Sequence, residues 1–593
     1  MSVSLFERAN TAWITARFYG RLATSLPGFR PGGQWSSARL LEGLAASDPN
    51  GLGIAFEDRR YTWAEVDAEA NRWANFFRSR GVDQGDSVAL LLDNRPEYLF
   101  ALSGLNRIKA VGALINTNIS GRGLVHAIQI ANAVACVVGS EHAEKLQEVL
   151  GDLPEIPSEM VFEQADGSGA ALHFASADEA VSEHPATRPT GVELPRGEEP
   201  MCYIYTSGTT GLPKAAIIKN MRWYAAASMF GRGMLDLAPG DIQYAALPLY
   251  HSNAMFAGWG AALTTGAGLA LRRKFSASKF WTDIRHFQAT SFIYIGELLR
   301  YLLNQPEQPD DREHAIRIIT GNGLRPDIWE KFADRFGIRE IREFYGATEG
   351  NAPLVNLENR PGMVGRLLPN QKLLKCDLAT GEVIRKDDGF CEEIGVGETG
   401  LLVAVINDLL PFDGYADKKA TEAKILTDVF ETGDRCFNSG DLLTLHENNW
   451  LAFADRVGDT FRWKGENVST NEVAETLNDA PGVLESNVYG VQVPGTDGRA
   501  GMASLNCNEE FSLEAFTSFV LDKLPVYQRP YFLRLQHDMR ITGTFKHQKV
   551  DYRKEGYDPA AVSDPLYLLD GDHYEKIDAD VFESIQTGAR TLR

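Results

Sequence analysis

The sequence predicts an α/β protein with a large N-terminal portion, residues 1–455, and a small C-terminal domain, residues 456–593. Three observations carry that prediction. After residue 50, short apolar runs alternate with helix-length amphipathic segments, the pattern of parallel strands covered by helices. A second alternation starts at Met201 and gives way, from about 360 to 455, to glycines and short β-like runs such as residues 400–405. A last, smaller α/β pattern follows from 456. The expected architecture is two sheet-containing subdomains, a β-rich one, and then the small domain.

In chain order, residues 53–61 read as a short hairpin. Thr62-Trp63-Ala64-Glu65 has capping-box spacing and opens a helix with Val66, Ala70, Trp73 and Phe77 on one face, closed by Gly81. A strand at 87–92, a helix after Pro96, a strand at 112–115, a helix from about Gly123 and a strand at 133–138 follow. Residues 150–200 are acidic, with Pro- and Gly-rich pieces, and read as an irregular excursion. Strands are expected at 201–205, 270–271, 291–294 and 317–320, and beyond 456 at 488–492 and 503–507, with a helix at 512–524. No internal repeat is evident.

The chain has 593 residues, 44% hydrophobic and 23% charged, which excludes disorder for its bulk. Its 80 acidic residues against 59 Lys and Arg give a net charge of −21, a poor basis for general nucleic-acid binding. An anionic ligand therefore needs a local positive site. Cys136, Cys202, Cys376, Cys391, Cys436 and Cys507 form no CxxC pair and have no His at metal-ligand spacing, so they read as buried, reduced thiols of a cytosolic protein. The longest uncharged stretch, 242–271, contains Pro248, His251 and Asn253 and reads as a buried helix followed by a buried strand rather than a membrane span. Residues 1–29 lack the pattern of a signal peptide. They set Arg8, Arg17 and Arg21 against Phe6, Trp13, Ile14 and Phe18: a helix packed on its own domain or, alternatively, one lying on a membrane surface.

The most informative segment is Tyr205-Thr206-Ser207-Gly208-Thr209-Thr210-Gly211-Leu212-Pro213-Lys214. After a buried strand, successive backbone N–H groups and Ser and Thr hydroxyls can wrap a phosphate, glycine lets the backbone approach it, and Lys214 adds charge. It is not a P-loop, because GxxxxGK[ST] is absent and a β-like run, 215–218, stands where that motif needs a helix. A polar hairpin turn is the plain alternative.

Together with Phe344-Tyr345-Gly346-Ala347-Thr348-Glu349-Gly350, Asn438-Ser439-Gly440-Asp441-Leu442 and Asp455-Arg456-Val457-Gly458-Asp459, in that order, this segment resembles the adenylate-forming enzymes: acyl-CoA synthetases, luciferases and peptide-synthetase adenylation domains. The resemblance covers nearly the whole chain. Residues 456–470 and Tyr294-Ile295-Gly296-Glu297, with Arg300-Tyr301-Leu302-Leu303, are most similar to the branch of fatty acid transport proteins and very-long-chain acyl-CoA synthetases.

The resemblance implies an adenylation domain followed by a mobile small domain, and a two-step reaction. A fatty acid and ATP, with Mg²⁺, give an acyl-adenylate and pyrophosphate; coenzyme A then displaces AMP. It implies nucleotide binding by Thr206, Ser207, Gly208, Thr209, Thr210, Gly211 and Lys214, by the adenine-edge turn at Gly321 and Asn322, and by Tyr345, Gly346, Thr348, Asp441 and Arg456. The chemistry is consistent with those residue types. Mg²⁺ prefers one or two carboxylates with phosphate oxygens, which suits Glu349. Thr348 can donate to the α-phosphate, and Asp441, an acceptor-only group, suits two ribose hydroxyls. Gly458 stands at the hinge position, where many relatives have Lys or Asp. Lys546, in Arg540-Ile541-Thr542-Gly543-Thr544-Phe545-Lys546-His547-Gln548-Lys549, matches the catalytic lysine, with Lys549 as the alternative. His251 matches an aromatic or acyl-pocket motif, with a structural role as the alternative, and nearby Trp259 could line an acyl channel, though core packing explains it equally well. Competing readings are a fatty-acid transport or trapping protein, a ligase that loads an acyl carrier protein, and one that activates a sterol-side-chain acid. Location is expected to be cytoplasmic, peripheral on the inner face of a membrane only if the N-terminal helix lies on one rather than on its own domain; no nucleic-acid partner is expected.

Overall fold

The computed structural model describes residues 5–592 apart from 166, 168–170, 208–211, 379, 408–410, 465, 497, 541–548 and 591. Its architecture is mixed α/β with several sheets, as the alternation predicts. The chain forms two compact units: one of residues 1–324, 332–360 and 411–424, the other of 325–331, 361–410 and 425–593.

The first unit holds two large sheets. One runs Ala175–Ser176, Val161–Gln164, Ala133–Gly139, Ser87–Leu91, Val111–Leu114, Pro200–Ser207, Pro213–Lys219. Every neighbour is parallel except the last pair, an antiparallel hairpin. Its central strands are buried along their length, as Val-, Ala- and Leu-rich runs covered on both faces must be. The capping box is formed: Thr62 Oγ1 accepts from the Glu65 N–H, and the Glu65 carboxylate accepts from the Thr62 N–H. The supposed excursion at 150–200 is corrected: Val161–Gln164 adds a buried parallel strand and Ala177–Ser182 a helix. Four apolar-polar residues between acidic, Pro-rich flanks are too few to show a period.

The other sheet runs Leu354–Asn356, Ile341–Tyr345, Ile318–Asn322, Ser291–Ile295, Ile242–Ala245, Gly268–Leu271, Leu52–Phe56, Arg59–Thr62. Its middle six strands are parallel and both edges antiparallel. The uncharged stretch holds a strand, Ile242–Ala245, before the expected helix and strand. That helix, Asn253–Gly260, is π-helical and wholly buried. No helix among the described residues is long and apolar enough to cross a membrane.

The second unit is β-rich from Gly365 to Arg456 and mixed α/β beyond, where Leu513–Lys523 is the helix expected at 512–524. An antiparallel sheet orders Gly365–Arg366, Trp450–Arg456, Arg435–Leu445, Thr399–Val405 and Gln371–Leu374, with Ile425–Thr427 also paired to Arg435–Leu445. A five-stranded sheet follows: Val483–Val491, Ala500–Cys507, Phe532–Gln536, Leu566–Asp570, His573–Lys576. Each sheet has its own core, one around Leu374, Leu401 and Cys436, the other drawn from Phe461 through Ile585. Five of the six free cysteines are buried; Cys507 is half-buried.

Candidate active site

In open parallel sheets, ligands bind beyond the carboxyl ends of the strands. Two sequence-predicted segments lie there, on neighbouring parallel strands: Gly321 and Asn322 end Ile318–Asn322, and Tyr345 ends Ile341–Tyr345. Asn322 Oδ1 accepts from Asn253 Nδ2 at 2.8 Å, so the π-helix orients that amide. Gly323 turns the chain at φ +79°, where a side chain would be strained.

The loop after Tyr345 is clamped through its backbone. Arg222 Nη1 donates to the Glu349 carbonyl at 2.9 Å, and its Nη2 donates to the carbonyls of Ala347, Thr348 and Gly350. Burial lowers the Arg222 pKa, and Asp413 and then Glu349 pull it back up. Glu349 is 7% exposed, and its Oε1 accepts from the Tyr415 hydroxyl at 2.6 Å. Burial, then the Glu349 charge, raise that phenol far above its usual range. Thr348 Oγ1 lies 3.2 Å from Ser252 Oγ, next to half-buried His251.

Thr206 pairs with Lys214, and Ser207 with Pro213, across the antiparallel hairpin. The β-like run expected after Lys214 is thus the second strand of a hairpin. Gly208, Thr209, Thr210 and Gly211 lie outside the described residues. Lys214 Nζ stands 5.5 Å from the centre of the Tyr415 ring, so the hydroxyl-rich strand and the Glu349 loop converge on Tyr415. The buried Glu349 carboxylate is an oxygen donor that fits a hard cation such as Mg²⁺, whose other positions would fall to phosphate oxygens and water. Trp259 is wholly buried, its ring 6.1 Å from that of Trp63, a core contact.

The remaining predicted residues are in the second unit. Asp441 and Arg456 are register partners, with Arg456 Nε 3.5 Å from Asp441 Oδ1. Asp455, 2% exposed, accepts from the Thr470 N–H and hydroxyl at 2.8 and 2.9 Å. Gly458 has φ +85°, and a Cβ there would meet nothing within 4 Å. Lys546 lies outside the described residues. Lys549 Nζ donates to Thr470 Oγ1 at 2.5 Å and stands 3.8 Å from Asp459 Oδ2. Burial lowers its pKa, against the pull of Asp459 and Asp455.

Sequence reading missed Arg222, Tyr415 and Asp413. Arg222 left one signal, a charge beside the buried Trp223 and Tyr224 of Asn220–Ser228. Tyr415 left none, because it returns to the first unit from within the β-rich stretch. Among the described residues, Asp93, Glu141 and His142 cluster as metal ligands do. Lys274 and Arg95 already pair with the two carboxylates, which makes the cluster a balanced ion network.

A profile of the AMP-binding enzymes matches residues 42–402. The chain belongs to this family. It is 42% identical to long-chain fatty acid transport protein 2 of Rattus norvegicus over 91% of this chain and 89% of that one. It is 38% identical to the medium/long-chain-fatty-acid–CoA ligase FadD6 of Mycobacterium tuberculosis, over 95% and 93%. Among solved structures, an anthranilate CoA ligase with bound anthranoyl-AMP superposes with a TM-score of 0.76 at 22% identity, covering 89% of this chain and 98% of that one. A Mycobacterium tuberculosis fatty acyl CoA synthetase gives 0.61 at 22%, over 88% and 98%. These likenesses establish the fold of a large N-terminal and a small C-terminal domain.

Proposed function

We propose that this protein is an AMP-forming ligase that joins long- or very-long-chain fatty acids to coenzyme A through an acyl-adenylate. The observation that carries the reading is the buried Glu349 carboxylate, held by Tyr415 in a loop whose carbonyls Arg222 clamps. The fatty-acid names of its relatives support the substrate class.

In the first step, Thr206–Gly211 and Lys214 hold the phosphates, Tyr345 and the 321–322 turn take adenine, and Asp441 and Arg456 take the ribose. Glu349 would hold Mg²⁺, which would supply neutralisation of phosphate charge; the fatty carboxylate attacks the α-phosphorus, the bond to the β-phosphate breaks and pyrophosphate leaves. Thr348 donates to the α-phosphate, and Lys546 follows the charge moving onto it. In the second step, rotation about Gly458 removes Lys546 and lets the coenzyme A thiol attack the acyl carbonyl, releasing AMP. The domain boundary at 455/456, the hinge and the His251 side of an acyl pocket are parts of the same proposal.

A cytoplasmic protein resting on a membrane is the companion reading. It is favoured by the N-terminal helix, where Trp13 and Tyr19 are 59% and 57% exposed and Arg17 lies over Trp13. A transport role then follows from trapping fatty acid as its thioester. The deciding experiment is pyrophosphate release over a panel of carboxylic acids, with and without coenzyme A. Release with long-chain acids, and acyl-CoA only when coenzyme A is present, is the expected result. Release with amino acids alone overturns it.

A further inference from the structure

The reaction above uses Gly321, Asn322 and Tyr345 but gives no task to Glu343, which lies beside them. Glu343 is 2% exposed on Ile341–Tyr345, in register with Gly321 on one neighbouring strand and Asn356 on the other. Its carboxylate accepts from the Tyr294 hydroxyl at 2.7 Å and from the N–H groups of Gly323 and Leu324 at 3.0 and 3.1 Å. All three donors are neutral, and no cation among the described residues pairs with it. A buried carboxylate without a cation is costly, and an apolar side chain would avoid that cost. It would also leave two buried backbone donors without acceptors. The turn has no slack elsewhere. A Cβ at Gly296 would lie 1.7 Å from the Gly323 carbonyl oxygen, and one at Gly321 2.4 Å from that of Tyr294.

We propose that Glu343 is a positioning residue for base recognition: through the Gly323 and Leu324 amides it fixes the turn against which the nucleobase is read, and so sets the preference for adenine. The inference rests on the reading of that turn as the adenine edge. Adenine offers an acceptor and an amino donor where guanine offers a donor and a carbonyl. A backbone edge held in place rejects the wrong pattern by leaving its own groups unpaired, whereas a loose one shifts to suit either.

The carboxyl also couples this preference to pH. Burial pushes it up to about 8, opposed by Tyr294 and the two amides. Asn356, facing it from the other strand, is uncharged. An ionised carboxylate binds amide donors more strongly than the neutral acid does, so the turn is held more firmly as pH rises through that value.

The test is the ratio of the GTP to the ATP dissociation constant, measured calorimetrically on the full chain with Mg²⁺ between about pH 6.5 and 8.7. The ratio cancels the titration of the phosphates. The wild-type ratio is expected to rise across the range, with its inflection near 8. Tyr294→Phe removes a donor to the charged form and moves the inflection upward. Glu343→Gln lowers the ratio roughly tenfold and flattens its pH profile. A Glu343→Gln ratio and profile equal to wild type, or a flat wild-type profile, overturns the proposal. If Glu343→Gln does not fold, an unmoved inflection in Tyr294→Phe overturns it equally. A wild type that binds neither nucleotide overturns the functional reading itself; one that prefers ATP leaves that reading intact whatever Glu343→Gln does.

Discussion

Two short segments with neighbouring tasks are held in opposite ways. The loop at 344–350 is gripped by its backbone: one guanidinium, Arg222, reaches four of its carbonyls, and Tyr415 meets the Glu349 side chain. The segment at 455–459 leaves its strand after Arg456, and side chains tie it on either side of Gly458. Asp455 accepts from Thr470 and Thr460, and Asp459 accepts from Arg553 at 2.7 Å. Between those anchors stands Gly458, with open space where a side chain would go. Bonds to successive backbone carbonyls leave a loop one conformation. Side-chain ties at either end of a left-handed glycine leave a pivot. The first arrangement suits a charge that must stay fixed while phosphate moves, the second a rotation between two half-reactions.

The largest effect should come from breaking the fixed segment at its charge. Glu349→Gln keeps the shape and an acceptor for Tyr415 but loses the negative charge proposed to hold Mg²⁺. Pyrophosphate release should fall roughly 10²-fold or more, with the circular dichroism and thermal midpoint close to wild type. Normal turnover at ordinary Mg²⁺ removes Glu349 from the site.

The pivot is broken next. Proline is fixed near φ −65°, so Gly458→Pro cannot adopt the observed +85°. It should abolish whichever half-reaction uses this backbone and spare the other. Lys546→Ala should abolish adenylate formation alone, while acyl-CoA still forms from supplied acyl-adenylate and coenzyme A. If Gly458→Pro slows neither step, the rotation is not required or turns elsewhere.

These segments differed in how far the sequence revealed them. Strand and helix order was legible because buried parallel strands are continuous apolar runs, and Thr62 with Glu65 announces a helix locally. The loop's own residues, Tyr345 to Gly350, were legible as a motif. What fixes them was not: Arg222 and Tyr415 lie 127 and 66 residues from Glu349, and no local period encodes such a pairing. The buried strand at 161–164 was hidden for the opposite reason, since it is local but too short. At 458 the signal was the surrounding motif, Asp455 to Asp459, and not the glycine, since many relatives have Lys or Asp there; the left-handed φ appears only in the structure.

A smaller effect is expected at the clamp. Arg222→Lys keeps a positive charge but replaces a planar fork by a single ammonium, which cannot reach four carbonyls with the same geometry. The apparent affinities for Mg²⁺ and ATP should weaken about tenfold, with the fatty-acid KM changed much less. Equal weakening for all substrates means that Arg222 supports the fold and not the loop.

The smallest effect separates the two lysines. Lys549 Nζ is bonded to Thr470 Oγ1 and stands beside Asp459, which makes it part of the side-chain ties around the proposed hinge. Lys549→Met should therefore leave both half-reactions within about threefold of wild type, while Lys546→Ala does not. Stability gives an independent check. Burial lowers the Lys549 pKa, so between that lowered value and its ordinary 10.5 the unfolded chain binds more protons at this group than the folded one. The group's contribution to stability must then rise with pH across that window and fall as pH drops through it. Lys549→Met has no such term. The urea midpoint of wild type minus that of Lys549→Met should accordingly increase as pH rises toward 10.5. A difference that stays flat means that the amine is not desolvated in solution. Adenylation blocked by Lys549→Met but not by Lys546→Ala transfers the catalytic role three residues along the chain and turns this hinge tie into the resting position of the catalytic amine.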